Sequence, residues 1–111
     1  MITVKGKTLM VSAKDTFLTF FKVHGAALDG SETIYFNINE IPDGSKLVKR
    51  IACGIDTRNN IICVYATKEE MAALRGGQTY WYDMTMDTPQ GLHMTLIYPS
   101  RFIVREVMHS D

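Results

Sequence analysis

The sequence predicts an all-β fold, with two antiparallel sheets packed as a sandwich of roughly seven to nine strands and one short helix. Three observations predict it. Apolar stretches recur about every ten residues between turn signals. Several of them alternate apolar and polar residues with a period of two. A single segment carries helix start and stop signals. The length of 111 residues is room for one domain, expected over residues 1–111, whose core needs no disulfide or metal to hold it.

Thr8–Ser12 reads as a short first strand, and Thr16–Val23 (TFLTFFKV) as a second, rich in Phe and β-branched residues. The loop Gly25–Gly30, ending in Asp29-Gly30, leads to Thr33–Asn39 (TIYFNIN). There Ile34, Phe36 and Ile38 share one face, while Thr33, Tyr35, Asn37 and Asn39 share the other. That contrast describes a strand with one face on a core and one toward water. Pro42-Asp43-Gly44 forms a turn. Leu47–Cys53 and Ile61–Ala66 then read as a hairpin around Asp56–Asn60. Centred on Arg58, this hairpin sets Cys53 opposite Cys63. Opposed strand residues hold their β-carbons about 4.5–5.5 Å apart, wider than the roughly 3.8 Å of a disulfide. Both cysteines are therefore read as free thiols serving as small buried hydrophobes.

The helical segment is Thr67–Leu74. Thr67 and Glu70 have the spacing of a capping box, in which each side chain bonds the other's backbone N–H. Met71-Ala72-Ala73-Leu74 favour helix, and Gly76-Gly77 end it. About two turns are expected, crossing over between strands with Met71 and Leu74 facing the sandwich. Thr79–Asp87 (TYWYDMTMD) is the strongest strand, with Tyr80, Tyr82, Met84 and Met86 inward and Trp81, Asp83 and Thr85 outward. Thr88–Gly91 turns the chain into Leu92–Tyr98, whose Leu92, Met94 and Leu96 face the same core and whose Ile97 falls on the polar phase with His93 and Thr95. Pro99-Ser100 reads as a break before a last strand, Arg101–Val107, and His109-Ser110-Asp111 as a frayed end. The expected core comprises Phe17, Phe21, Ile34, Phe36, Ile38, Tyr80, Tyr82, Met84, Leu96, Phe102 and Val104. The seven methionines are read as gap-filling core. Regular turn spacing over this many strands makes the sandwich immunoglobulin-like.

Charge narrows the function classes. Lys+Arg 12 against Asp+Glu 12 sums to zero, whereas duplex binding draws its affinity from a basic excess. No partner nucleic acid is expected. No apolar run approaches the roughly 18 residues of a membrane span, and Met1–Lys7 lacks the charged-then-apolar pattern of a signal peptide. No membrane partner is expected, and synthesis is expected in a cytoplasm. His24, His93 and His109 are not spaced as zinc ligands. No nucleophile elbow, phosphate-cradling loop or calcium loop occurs. No catalytic residue, cofactor or metal is expected, and the reading is non-enzymatic. The candidate site is instead an interface on the polar phase of the Thr79–Tyr98 strands, formed by Trp81, Asp83 and Ile97. An aromatic and an aliphatic residue among modest polar groups have the composition of an interface core.

The order of these pieces resembles a phage structural family. It is similar to the N-terminal domain of upper baseplate proteins (BppU-type). The resemblance rests on Ala13-Lys14-Asp15-Thr16, matching an Arg-Gly-Asp-Thr-like run before the aromatic strand, and on the Gly25–Gly30 loop. It continues through Thr67–Gly77, a Thr-initiated acidic helical turn, and Gly77–Asp83, which is similar to a Gly-x-Tyr-x-Tyr-Asp strand with one more residue after the glycine. It closes with Thr95-Leu96 and Phe102-Ile103-Val104. Lys14 stands where the family has glycine. The resemblance implies a structural role in the virion: a tail or baseplate assembly module of a phage or prophage, partnered by other tail subunits or by copies of itself. The alternative reading is a carbohydrate- or cell-surface-binding sandwich, because fold does not fix function.

Overall fold

The computed structural model describes residues 2–106. Among them run nine strands and one helix: β1 (Thr3–Val4), β2 (Leu9–Ser12), β3 (Phe17–His24), β4 (Thr33–Asn39), β5 (Leu47–Ala52), β6 (Gly54–Asp56), β7 (Ile61–Ala66), α1 (Lys68–Met71), β8 (Gln78–Asp87) and β9 (His93–Arg105). They form a four-stranded sheet ordered β1-β3-β7-β6 and a five-stranded sheet ordered β2-β9-β8-β4-β5. This is the immunoglobulin-like sandwich, with α1 crossing from β7 in one sheet to β8 in the other. One pairing departs from the antiparallel expectation: β2 runs parallel to β9. The expected frayed end at His109–Asp111 lies outside the described residues.

All eleven expected core residues are buried. Their centre is an aromatic cluster joining the sheets. Phe36 on β4 stacks on Tyr82 of β8 at 4.7 Å between ring centroids, and Phe21 of β3 lies 6.3 Å from Tyr82 across the sandwich. Phe17 and Phe102 close around Phe36 at 5.6 and 5.9 Å. In antibody domains a disulfide and a Trp join the sheets at the equivalent strands; here rings do so. The Tyr80 hydroxyl accepts from the Arg75 backbone N–H at 2.8 Å, just upstream of the strand. That bond has the form of the tyrosine corner of such folds. It fixes the entry of β8 after the glycines.

The helix is shorter than expected. Thr67 caps it, and both bonds of the capping box are present, but α1 ends at Met71. Leu74 then closes a tight turn by donating to the Met71 carbonyl at 3.1 Å. Ala72 likewise donates to the Glu69 carbonyl at 3.3 Å, so the chain tightens to i→i−3 bonds before the glycines, and Met71 and Leu74 are both buried. The short cap still holds the Glu70 carboxyl below its ordinary range, chiefly through the bond from the Thr67 backbone N–H.

The hairpin expected between Leu47–Cys53 and Ile61–Ala66 is corrected. The chain changes sheets at Cys53: β5 pairs with β4, while β6 pairs with β7. Cys63 lies opposite Gly54, not Cys53. Both thiols are free, and burial pushes the Cys53 thiol up to about 12. The expected break at Pro99-Ser100 is also corrected, because β9 runs through it. Tyr82 pairs with Ser100 and Met84 with Ile97, so Tyr98 and Pro99 form a bulge opposite Asp83. Proline lacks the ladder N–H, and a bulge is where a strand tolerates it. A second irregularity places Thr85 against Thr95 and leaves Leu96 extra. The two shifts flip the side-chain phase and restore it. Leu96, Phe102 and Val104 therefore face the core as expected, while Ile97, expected on the polar phase, is 3% exposed and opposite Met84. Leu92 ends up exposed in the turn, and Met10 is exposed on β2.

The N-terminal segment crosses from the four-stranded sheet to the five-stranded one between β1 and β2. Gly6 makes this possible, since a Cβ there would lie 2.6 Å from Ile97 Cγ2. In the next turn Asp15 donates to the Ser12 carbonyl at 3.3 Å, and Lys14 adopts a φ of 67°. Left-handed backbone costs a non-glycine residue about 1–2 kcal/mol, partly offset in glycine by its freer unfolded chain. Lys14→Gly is therefore expected to hold stability or raise it by up to about 1 kcal/mol, and Lys14→Val to lower it. Thermal melts of the two variants check this, and a clear loss on Lys14→Gly would contradict the assigned turn.

Candidate functional site

The outer face of the five-stranded sheet carries a polar hollow of about 300 Å³. Adjacent strands build its floor. Asn37 of β4 lies between Arg50 of β5 and Asp83 of β8, and Asn39 is next along β4. Thr85 and His93 continue the lining, and Leu47 and Gly44 form the wall on the β4–β5 side. The loop after β4 bends over because Gly44 takes a φ of 78° and approaches Asp83.

Asn37 and Asn39 were expected to face water and are instead buried. Burial of amides requires partners, and each has them. Asn37 Nδ2 donates to Asp83 Oδ1 at 2.7 Å and to Thr85 Oγ1 at 3.4 Å, while its Oδ1 accepts from Arg50 Nε at 2.8 Å. Asn39 Nδ2 donates to Asp83 Oδ2 at 3.4 Å. The result is a chain Arg50–Asn37–Asp83 in which a neutral amide separates cation from anion. Arg50 also lies over the Tyr35 ring, 4.9 Å from its centroid. At the far end His93 Nδ1 lies 2.7 Å from Asp87 Oδ1; both are well exposed, so this pair adds little to stability.

Of the three expected interface residues, Trp81 and Asp83 stand on this outer face and are half-buried. Trp81 lies between Asn39 and Arg101 on the neighbouring strands. Ile97 is removed from the surface by the bulge. Nor are these strands an edge: β8 and β9 are both interior to their sheet. The largest exposed apolar side chains that neighbour one another lie on the other sheet. Leu18 and Phe20 of β3 and Tyr65 of β7 are 56%, 53% and 54% exposed. Leu18 is directly opposite Tyr65, and Phe20 opposite Cys63. Periodicity contained this signal: Leu18 and Phe20 alternate with buried Phe17 and Phe21 on either side of Thr19. The run TFLTFF is apolar on both faces, which hid it.

Among the described residues no group of three or more His, Cys, Asp or Glu side chains could hold a metal ion, and no helix is long and apolar enough to cross a membrane. The fold and its two outer faces define a small immunoglobulin-like sandwich with a polar hollow on one sheet and an apolar strip on the other. Its architecture is similar to that of CopC from Methylosinus trichosporium OB3b, at a TM-score of 0.59 and 13% identity over 100% of both chains. That likeness is one of fold. No protein-family model and no curated protein matches the chain.

Proposed function

We propose that the chain is a non-enzymatic assembly module of a phage or prophage tail or baseplate, made in the host cytoplasm and carried in the virion. The observation that carries this reading is the strip Leu18, Phe20 and Tyr65. Single exposed apolar residues are ordinary, but adjoining large ones on one sheet face have the composition of an interface core. Aromatic anchors of this kind concentrate binding energy. The resemblance to upper baseplate domains gives the partner class: other tail subunits, or a second copy of this chain. Lys14 supports it. Where that family has glycine, this chain bends with the positive φ that glycine favours.

Light scattering at several concentrations tests the behaviour, and purification of tails from an induced host tests the assembly. The expected results are a mass above that of one chain, or recovery of the protein with tails, and loss of either in Phe20→Glu. An exposed Phe replaced by a charge leaves folding intact but buries an unpaired carboxylate in any contact, a penalty of several kcal/mol per ion. A strict monomer that is absent from tails would refute the proposal, as would Phe20→Glu behaving like the parent.

A further inference from the structure

We propose that the hollow on the five-stranded sheet binds one ring of a neutral saccharide, with Asp83 accepting and Arg50 donating to its hydroxyls. Four features point to it. The first is size: about 300 Å³ sits at the lower bound of the roughly 300–1,000 Å³ of small-ligand sites, enough for one ring and little more.

The second is preorganisation. Asp83 is held by two buried amides, one to each carboxylate oxygen. A carboxylate oxygen has a lone pair to spare after one such bond. Arg50 is held through Nε by Asn37 and by the Tyr35 ring. Its two terminal nitrogens have no protein acceptor among the described residues. Donor and acceptor are thus fixed in place, yet each keeps capacity for a ligand. Two asparagines buried on the outer face of a sheet gain nothing for the core. They do set the spacing between Arg50 and Asp83.

The third is charge balance. The floor offers one cation and one anion with neutral groups between. A phosphate or carboxylate ligand would meet Asp83, and an ammonium ligand would meet Arg50. A hydroxyl donates and accepts at once, so a polyhydroxylated neutral ring satisfies both without an uncompensated charge. The fourth is the apolar element a sugar's C–H face requires: Leu47 is half exposed on the wall. Trp81 lies two residues from Asp83 on the same face of β8, roughly 7 Å along the strand.

Titration of the isotope-labelled protein with methyl glycosides of glucose, galactose, mannose and N-acetylglucosamine tests the site by amide chemical shifts. Glucose 6-phosphate and glucosamine serve as charged controls. Saturable millimolar shifts are expected for at least one neutral glycoside, centred on Asn37, Asn39 and Gly44, with a parallel change in the emission of Trp81, the chain's single tryptophan. Equal binding of the free sugar and its methyl glycoside would indicate a terminal residue of a longer glycan; preference for the free sugar would indicate a soluble one. Asp83→Asn should weaken binding about tenfold or more, the effect of losing a hydrogen bond to a charged group. Arg50→Lys, which keeps the charge and loses the fork, should weaken it as well. No saturable shift with any neutral glycoside overturns the proposal. So does tighter binding of a charged control, or an Asp83→Asn variant that keeps its fold and binds like the parent. The Phe20→Glu variant lies on the opposite sheet and should bind the glycoside unchanged, so failure here and failure of the assembly role are separable.

Discussion

Phe36→Ala is expected to cost roughly 3–5 kcal/mol, the usual range for a buried ring. Phe36 has no exposed surface and touches the aromatic cluster from every side. How much a truncation costs depends on how far the neighbours can collapse into the space left. Here the walls are the rings of Phe17, Phe21, Tyr82 and Phe102, which come from both sheets and have two torsions each. They cannot flow into the gap without dragging strands. The cluster also occupies the place where antibody domains carry a disulfide between sheets, and both cysteines here are free, so no covalent link limits the damage. A domain with about 5–15 kcal/mol in total would lose a large fraction of it. Urea denaturation should show the midpoint falling with an unchanged slope. A parent-like midpoint would mean that the cluster does not hold the sheets together.

Tyr82→Phe should cost about 1–3 kcal/mol although it removes a single oxygen. The Tyr82 hydroxyl donates to the Lys7 carbonyl at 2.6 Å and accepts from the Lys7 backbone N–H at 3.0 Å. Burial pushes its phenol above the ordinary value, so it stays protonated and able to donate through the neutral range and beyond. This one atom satisfies both polar groups of Lys7 as the chain crosses between sheets. Without it, the crossing segment keeps Gly6 against Ile97 but loses its anchor. The expected signature is local as well as global: faster amide exchange of Lys7 and of β2, beyond what the loss in overall stability explains. If exchange there is unchanged, the crossing is held by packing alone.

Much of this architecture was legible from periodicity. Thr33–Asn39 alternates so cleanly that its bounds and inward face follow from the residues alone, and Tyr80, Tyr82, Met84 and Met86 do the same on β8. The capping box at Thr67 was equally local, because both its partners lie within four residues. Ile97 shows where such reading stops. A bulge changes which residues face inward without changing any residue type, and Pro99 marks it only as an interruption. The sheet switch at Cys53 is of the same kind: Leu47–Cys53 reads as one strand, and whether it pairs with β4 or β7 depends on which partner the rest of the fold presents.

By itself, then, the sequence determined the sandwich, the core of its regular strands and its single helical crossover, since these follow from alternation, capping and turn chemistry over a few residues each. The tertiary structure alone decided the surfaces. Asn37 and Asn39 stand on a polar phase by pattern, yet pairing with Arg50 and Asp83 and cover from the Gly44 loop bury them as the floor of a hollow. Leu18 and Tyr65 lie 47 positions apart and become an apolar strip only when β3 and β7 pair. Both features depend on residues distant in the chain that meet across strands, and the pattern within a strand carries no record of its neighbour.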